Sequence, residues 1–360
     1  MHCANAHRCV CAVVPVLQAA PDVRWPLPTP VGDAGGSMPR PDLIAPDCAG
    51  PEASESLAQS CWRHWQQLLD GLTPVLMQPL SRLDTLDTLQ TTAAAVMHLA
   101  RQSPDVGLFH VVHAPSVELH RYSVAHALHT ALLMSLIAQR KEWSPALERS
   151  GVLAALTMNV SITALQSQLA LHDGPLDETQ REDIRHHPTE SRWWLEALGV
   201  TDTDWLDAVQ QHHEQPDGTG YPLGLTGTHV LADALRTCDV LGAKLSPRGS
   251  RPGLLSPRVA SEIFQHRSAG YFGATLIREL GLYPPGSLVQ LNTGEVAVVL
   301  RRTRDPMTPD VVPLFTRDGQ PLSTLQRCAT SRAPGRCIVS ACADATLRQQ
   351  IPCETLMSLV

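Results

Sequence analysis

From residue 57 onward, apolar side chains recur at helical spacing. In SLAQSCWRHWQQLLDGL, residues Leu57, Cys61, Trp65, Leu68 and Leu69 share one face, which predicts an amphipathic helix. A second helix is expected over about residues 83–101. Residues 119–283 then read as almost continuous helix in five segments. HRYSVAHALHTALLMSLIAQR is the first, and SGVLAALTMNVSITALQSQLAL, apolar nearly all round, is the second and is expected at the centre. DETQREDIRHHPTESRWWLEAL follows with acids in its first turn, where the helix dipole favours them. DTDWLDAVQQHHE and HVLADALRTCDVLGAKL complete the set.

The pattern changes after residue 283. GSLVQLNTGEVAVVLRR and DVVPLFTRDGQPL are short β-type runs broken by Asn-Thr-Gly and Arg-Asp-Gly turns, as in hairpins. The fold class is therefore mainly α: a helical bundle (119–283), a short helical lead-in before it (56–118) and a small β appendix after it (284–327). Residues 1–55 are rich in Pro, Ala, Gly and Asp without periodicity, and are expected to be disordered. Residues 328–360 are expected as an irregular tail holding Cys328, Cys337, Cys342 and Cys353.

Composition narrows the classes. At 360 residues and 43% apolar, the chain has the make-up of a globular protein with an aliphatic core, since it holds four Phe and four Tyr. A formal charge of −7 argues against a broad nucleic-acid-binding surface. The ten cysteines show no repeated CxxC spacing, which favours free thiols in a reducing compartment. No membrane span is expected, and CVCAVVPVLQAA (9–20) is a poor signal peptide because it contains Pro15 and follows a single Arg. These features point to the cytoplasm.

Candidate chemistry sits in the helical block. His126, His187, His212, His213 and Asp239 are residue types that build hydrolytic metal sites, where imidazole and carboxylate bind and partly neutralise divalent ions. If the helix runs through His212 and His213, the two side chains project about 100° apart. They would then serve two ions rather than share one. The stretch QQHHEQPDGTGYPLG (210–224) passes abruptly from helix formers to turn formers.

Here the chain resembles the HD-GYP family of helical, metal-dependent phosphodiesterases that open cyclic di-GMP. HHEQPDGTGYP matches the HHExxDGxGYP signature at eight positions, from His212 to Pro222. YSVAHALHTALL resembles the family's first histidine helix with His126 in place, and RHHPTES resembles its H-P-x-x-G element with His187 in place. CDVLGAKLSPRGSRP is similar to the late segment, with Asp239 as the metal aspartate and Arg248 and Arg251 as phosphate contacts. The resemblance covers roughly residues 119–300 and implies an HD-type bundle, iron or manganese as cofactor and cyclic di-GMP as ligand. It also implies that the loop of Asp217, Gly218, Gly220, Tyr221 and Pro222 contacts a diguanylate cyclase domain. Homodimerisation is left open.

The departures are specific. Where the family carries LLHDIGK, this chain has ALTMNVSIT: Met158 replaces the histidine, Asn159 the aspartate, Ser161 the glycine and Ile162 the phosphate-facing lysine. Ser191 stands at the glycine of H-P-x-x-G, and Tyr122 where some members place a ligand glutamate. His172 and Asp173 form a His-Asp pair in a loop and are not expected to bind metal. In the family the missing aspartate bridges two cations. Two dications about 4 Å apart repel by about 17 kcal/mol at an effective dielectric of about 20, and Asn159 brings no charge against this. The implication is at most one weakly held divalent ion, or none. Three readings stay open: a cyclic di-GMP signalling module with little hydrolysis, an active phosphodiesterase with a reduced metal site, and a structural helical adaptor.

Overall fold

Ser56 starts the first helix. Its side chain accepts from the Gln59 amide while Gln59 reaches back to the Ser56 amide, forming a capping box. The computed structural model describes residues 55–117, 119–172, 174–246, 270–332 and 335–360. The expectation of a disordered segment before residue 55 lies outside them, as do Arg248, Arg251 and Asp173. Glu55–Val360 form one compact unit.

The structure is mainly helical, with one small sheet, as the periodicity predicts. The lead-in holds three helices: α1 (Leu57–Met77), α2 (Thr85–Gln102) and α3 (Pro104–Val117). α3 has little polar face, with Val106, Leu108, Phe109 and Val111 all buried, so no helical stripe betrays it. The bundle comprises α4 (Tyr122–Arg140), α5 (Pro145–Thr157), α6 (Thr163–Leu171), α7 (Glu178–Ala197), α8 (Thr203–Gln211), α9 (Val230–Leu245) and α10 (Gly273–Leu280). Side chains at Ser144, Asp177 and Asp202 cap α5, α7 and α8. α4 is buried from Tyr122 to Ala138 and occupies the centre.

The apolar segment 150–171, expected as one helix, is two. It breaks after Thr157, and a 3₁₀ turn, Val160–Ile162, joins the pieces. Polar groups, one local and one from α7, accompany the break: Thr163 Oγ1 donates to the Asn159 carbonyl at 3.2 Å, and the Ser161 amide donates to Ser191 Oγ at 3.3 Å. By length and composition Pro145–Leu171 would suffice to cross a membrane, but 61% of its apolar window is buried inside the protein.

The sheet is larger than the two hairpins expected. Strands β1 (Leu288–Leu291), β2 (Val296–Arg301), β3 (Asp310–Phe315), β4 (Cys328–Ala329) and β5 (Ile338–Ala341) pair antiparallel in the order β4-β3-β2-β1-β5. The tail after residue 327 is thus not irregular. It adds both edge strands and two short helices, α11 (Ala345–Gln349) and α12 (Cys353–Met357). Leu356 and Met357 of α12 join the main core, and Ser56 Oγ donates to the Met357 carbonyl at 3.3 Å. Two-residue and four-residue strands leave too short an alternation to read from sequence.

Candidate metal centre

Pro188 sits inside α7. It has no N–H, so the carbonyl of Ile184, four residues back, loses its helical donor. His187 fills that place: its Nδ1 donates to the Ile184 carbonyl at 2.6 Å. A second histidine is held the same way at a helix end. α8 stops at Gln211, where carbonyls run out of helical donors, and His212 Nδ1 donates to the Val209 carbonyl at 2.6 Å. A carbonyl can only accept, so each Nδ1 carries the proton and each Nε2 carries a lone pair.

Those two lone pairs face each other. His187 Nε2 and His212 Nε2 lie 3.2 Å apart, both residues fully buried. Burial above all, helped by the neighbouring His212, pushes His187 down to about 3, against the Ile184 carbonyl and Asp239. His212 is likewise lowered, mainly by burial. With both Nδ1 atoms donating to carbonyls, the two Nε2 lone pairs point at each other, an arrangement that a shared cation would suit. Two imidazole nitrogens on one ion stand about 2.9–3.4 Å apart, given metal–nitrogen bonds of about 2.0–2.1 Å.

His213 completes the group. The ligand atoms of His187, His212 and His213 all lie within 4.8 Å of one another. This corrects the expectation that His212 and His213 diverge: the helix ends before both, and the turn brings their rings to 4.2 Å between centroids. Asp239, on α9, stands beside the trio. His126 Nε2 bonds its Oδ1 at 2.8 Å, while Oδ2 is buried with no hydrogen-bond partner among the described residues. Burial alone would raise Asp239, but the His126 hydrogen bond and charge, with His213 and His212, hold it well below the usual carboxylate range. His126 therefore serves Asp239 directly and is not a member of the three-histidine group. Tyr122 stacks on the His126 ring at 5.8 Å, nearly parallel. An orphaned carboxylate oxygen and two opposed imidazole lone pairs fit a divalent ion.

The central turn contributes differently. Met158 is part of the hydrophobic core, Ile162 is buried, and the Asn159 amide donates to Gln166 Oε1 at 3.5 Å. Ser161 and Ser191, the two serines at expected glycine positions, meet: their Oγ atoms lie 3.0 Å apart, and Ser161 Oγ donates to the His187 carbonyl at 3.2 Å. The two departures form one contact that ties the turn to the His187 helix.

Glu214 matched the signature in the sequence, but its role was not read there. It is buried, and its carboxylate accepts the backbone amides of Leu223 (2.6 Å), Gly224 (3.1 Å) and Leu225 (2.9 Å). One side chain thus closes the whole loop. Its signal was present: an acid directly after two histidines at a helix end, followed by a glycine-rich turn. A Cβ on Gly220 would stand 2.4 Å from Glu214 Cα, which leaves room for glycine alone. Tyr221 stacks on His213 with centroids 4.6 Å apart, so the loop covers the histidine trio.

Comparison with known proteins adds the family. The HD-domain family matches residues 113–276. Across 201 residues the chain is 29% identical to the cyclic di-GMP phosphodiesterase PA4108 of Pseudomonas aeruginosa, a match covering 54% of this chain. Residues 113–276 thus match an HD domain, and the similarity to a cyclic di-GMP phosphodiesterase supports the HD-GYP resemblance. It spans about half the length of that curated relative, 48% of which is matched. Among solved structures, Bd1817, a HDG"Y"P protein from Bdellovibrio bacteriovorus, aligns over 62% of this chain and 74% of its own, with a TM-score of 0.48 and 14% identity. The HD-domain match spans α4 to α9 and includes all five candidate metal residues: His126, His187 and Asp239 on helices, and His212 and His213 in the turn after α8.

Proposed function

We propose that this HD-GYP-like protein binds cyclic di-GMP over a site with one divalent cation, iron or manganese, and turns it over slowly. The observation that carries the reading is the donor set. Three imidazoles converge and Asp239 is the carboxylate beside them, while the turn between α5 and α6 offers Met158 to the core and Asn159 to Gln166. A single cation there would supply Lewis acidity toward a phosphodiester oxygen. His187, His212 and His213 would hold it, Asp239 would neutralise it, and His126 would fix Asp239 in place. With Asp239 the one carboxylate of this set among the described residues, the donors are poorly matched to two adjacent dications. Arg248 and Arg251 are the proposed phosphate contacts. The loop of Asp217, Gly218, Gly220, Tyr221 and Pro222 is the proposed contact for a diguanylate cyclase domain, and Leu223 at its edge is 54% exposed.

A second reading, an active phosphodiesterase with a reduced site, is favoured by the activity in the relative's name. One assay separates them. The protein loaded with Mn²⁺ or Fe²⁺ is titrated with cyclic di-GMP by calorimetry, and linear product is followed by chromatography. Saturable binding with turnover slower than about one per minute supports the proposal. Turnover of about one per second or faster, near the usual range for enzymes, supports the second reading. No binding at all overturns both.

A further inference from the structure

The backbone orients two of the three clustered histidines. The carbonyls of Ile184 and Val209 hold the Nδ1 atoms of His187 and His212, each at 2.6 Å. His213 stands half-buried in the turn after α8, and among the described residues its ring has no such carbonyl. That ring meets three others. His187 lies at 5.0 Å and His212 at 4.2 Å between centroids, both members of the trio, and Tyr221 lies at 4.6 Å with its plane 23° away. Among the described residues, Tyr221 is thus the ring from outside the trio that sets the plane of His213.

The chain makes this stack by closing on itself. The Tyr221 amide donates to the His213 carbonyl at 3.3 Å, so backbone and ring join the same two residues. Between them the Gly218 amide donates to the Gln215 carbonyl at 2.9 Å, and the Thr219 amide to Asp217 Oδ1 at 3.1 Å. Gly220 then crosses the backbone of residues 214 and 215. A Cβ there would collide with Glu214 Cα and Gln215 N, so Tyr221 reaches His213 because residue 220 is glycine. Beyond the stack, the Glu214 carboxylate holds the amides of Leu223, Gly224 and Leu225. Both crossings of the loop are therefore tied to residues 213–215, the segment that carries the third histidine.

We propose that Tyr221 is a positioning residue for His213, and that closure of the loop and cation binding at the trio are coupled through this stack. The proposal rests on the single-cation reading above. A ring already held in place loses less freedom when an ion arrives. Contacts that orient metal-binding histidines are worth about 10–100-fold in affinity, and a stack, less directional than a hydrogen bond, belongs near tenfold. Coupling is reciprocal: if closing the loop raises cation affinity about tenfold, filling the site shifts the loop toward its closed state by the same factor.

The test compares the full chain with Tyr221→Phe, which keeps the ring, and Tyr221→Leu, which removes it. Calorimetry gives the Mn²⁺ affinity, and a metal-independent protease reports cleavage within residues 215–229, with and without saturating Mn²⁺. Tyr221→Phe should bind Mn²⁺ within about twofold of the parent, and Tyr221→Leu about tenfold more weakly. Cleavage of the loop tracks its open population, so Mn²⁺ should slow it about tenfold in the parent and in Tyr221→Phe, and hardly at all in Tyr221→Leu. A tyrosine that only packs would leave the protection by Mn²⁺ unchanged when removed. Should Tyr221→Leu fail to fold, Gly220→Ala, which lifts the loop off residue 214, carries the same expectation. Parent-like Mn²⁺ affinity or protection in Tyr221→Leu, or a Tyr221→Phe as weak as Tyr221→Leu, overturns the coupling and leaves the single-cation reading intact. A parent chain that takes up no Mn²⁺ overturns that reading, and the coupling with it.

Discussion

Replacing Pro188 by alanine separates the stability of α7 from the chemistry of His187. A proline inside a helix costs about 3 kcal/mol relative to alanine, part of which the native structure has already absorbed by relaxation. Pro188→Ala should therefore leave the metal-free protein as stable as before or more so, by up to about 2 kcal/mol. The backbone amide gained by the variant at this position, however, donates to the Ile184 carbonyl, which in the native chain accepts His187 Nδ1 at 2.6 Å. A carbonyl has two lone pairs, so the histidine bond weakens rather than vanishes. Losing an orienting contact of this kind costs about 10–100-fold in metal affinity, and the shared acceptor places this case near tenfold, about 1.4 kcal/mol. Calorimetric Mn²⁺ titration and thermal melts of the metal-free protein measure the two effects separately. Unchanged affinity, or a metal-free melting temperature several degrees lower, would refute the assignment of Ile184 as the group that orients His187.

Three further outcomes follow from the same geometry. Met158→His with Asn159→Asp should raise metal binding, and adding Ile162→Lys should tighten cyclic di-GMP by restoring a cation for phosphate; a folded triple variant with unchanged metal content would show that the ligands no longer converge. Glu214→Ala removes three charge-assisted bonds, each worth about 1.5–3 kcal/mol net of water, so residues 215–229 should become protease-sensitive well below the melting temperature, and resistance equal to the parent would count against Glu214 as the loop's anchor. His110 and His113 stay neutral in the fold down to about 3 and 4, whereas the unfolded chain takes up protons near 6.5. Stability should therefore fall as pH drops from about 6.5 to about 4, by up to about 1.4 kcal/mol per pH unit for each histidine. Urea denaturation at pH 7 and pH 5 measures this, and His113→Asn should flatten the slope; an equal slope in the variant would contradict it.

The helices and the loop were legible because their signals are local. Apolar spacing marks α1, α4 and α7, and Gly218 takes a φ of +76° where the sequence expects a turn. What stayed hidden depends on tertiary partners. α3 is buried on most sides, so it shows no stripe. The break at Asn159 is accompanied by a hydrogen bond from Ser161 to Ser191, thirty residues away. Strand β5 pairs with β1 across about fifty residues and is four residues long. Pro188 was visible as a letter in RHHPTES, but its use, a carbonyl released for His187, needs the helix to be known first. The sharing of one site by His212 and His213 turned on where α8 ends, and helix ends are the least certain feature of any periodic pattern.

The account rests on a site built for one cation. Elemental analysis of the protein, expressed with iron and manganese supplied and then desalted, measures this directly. The geometry of His187, His212, His213 and Asp239 predicts at most one equivalent per chain, lost on dialysis against a chelator and absent from a His187→Ala variant. Two equivalents that survive the same dialysis would contradict the single-cation site, and with it the reading of Met158 and Asn159 as lost ligands.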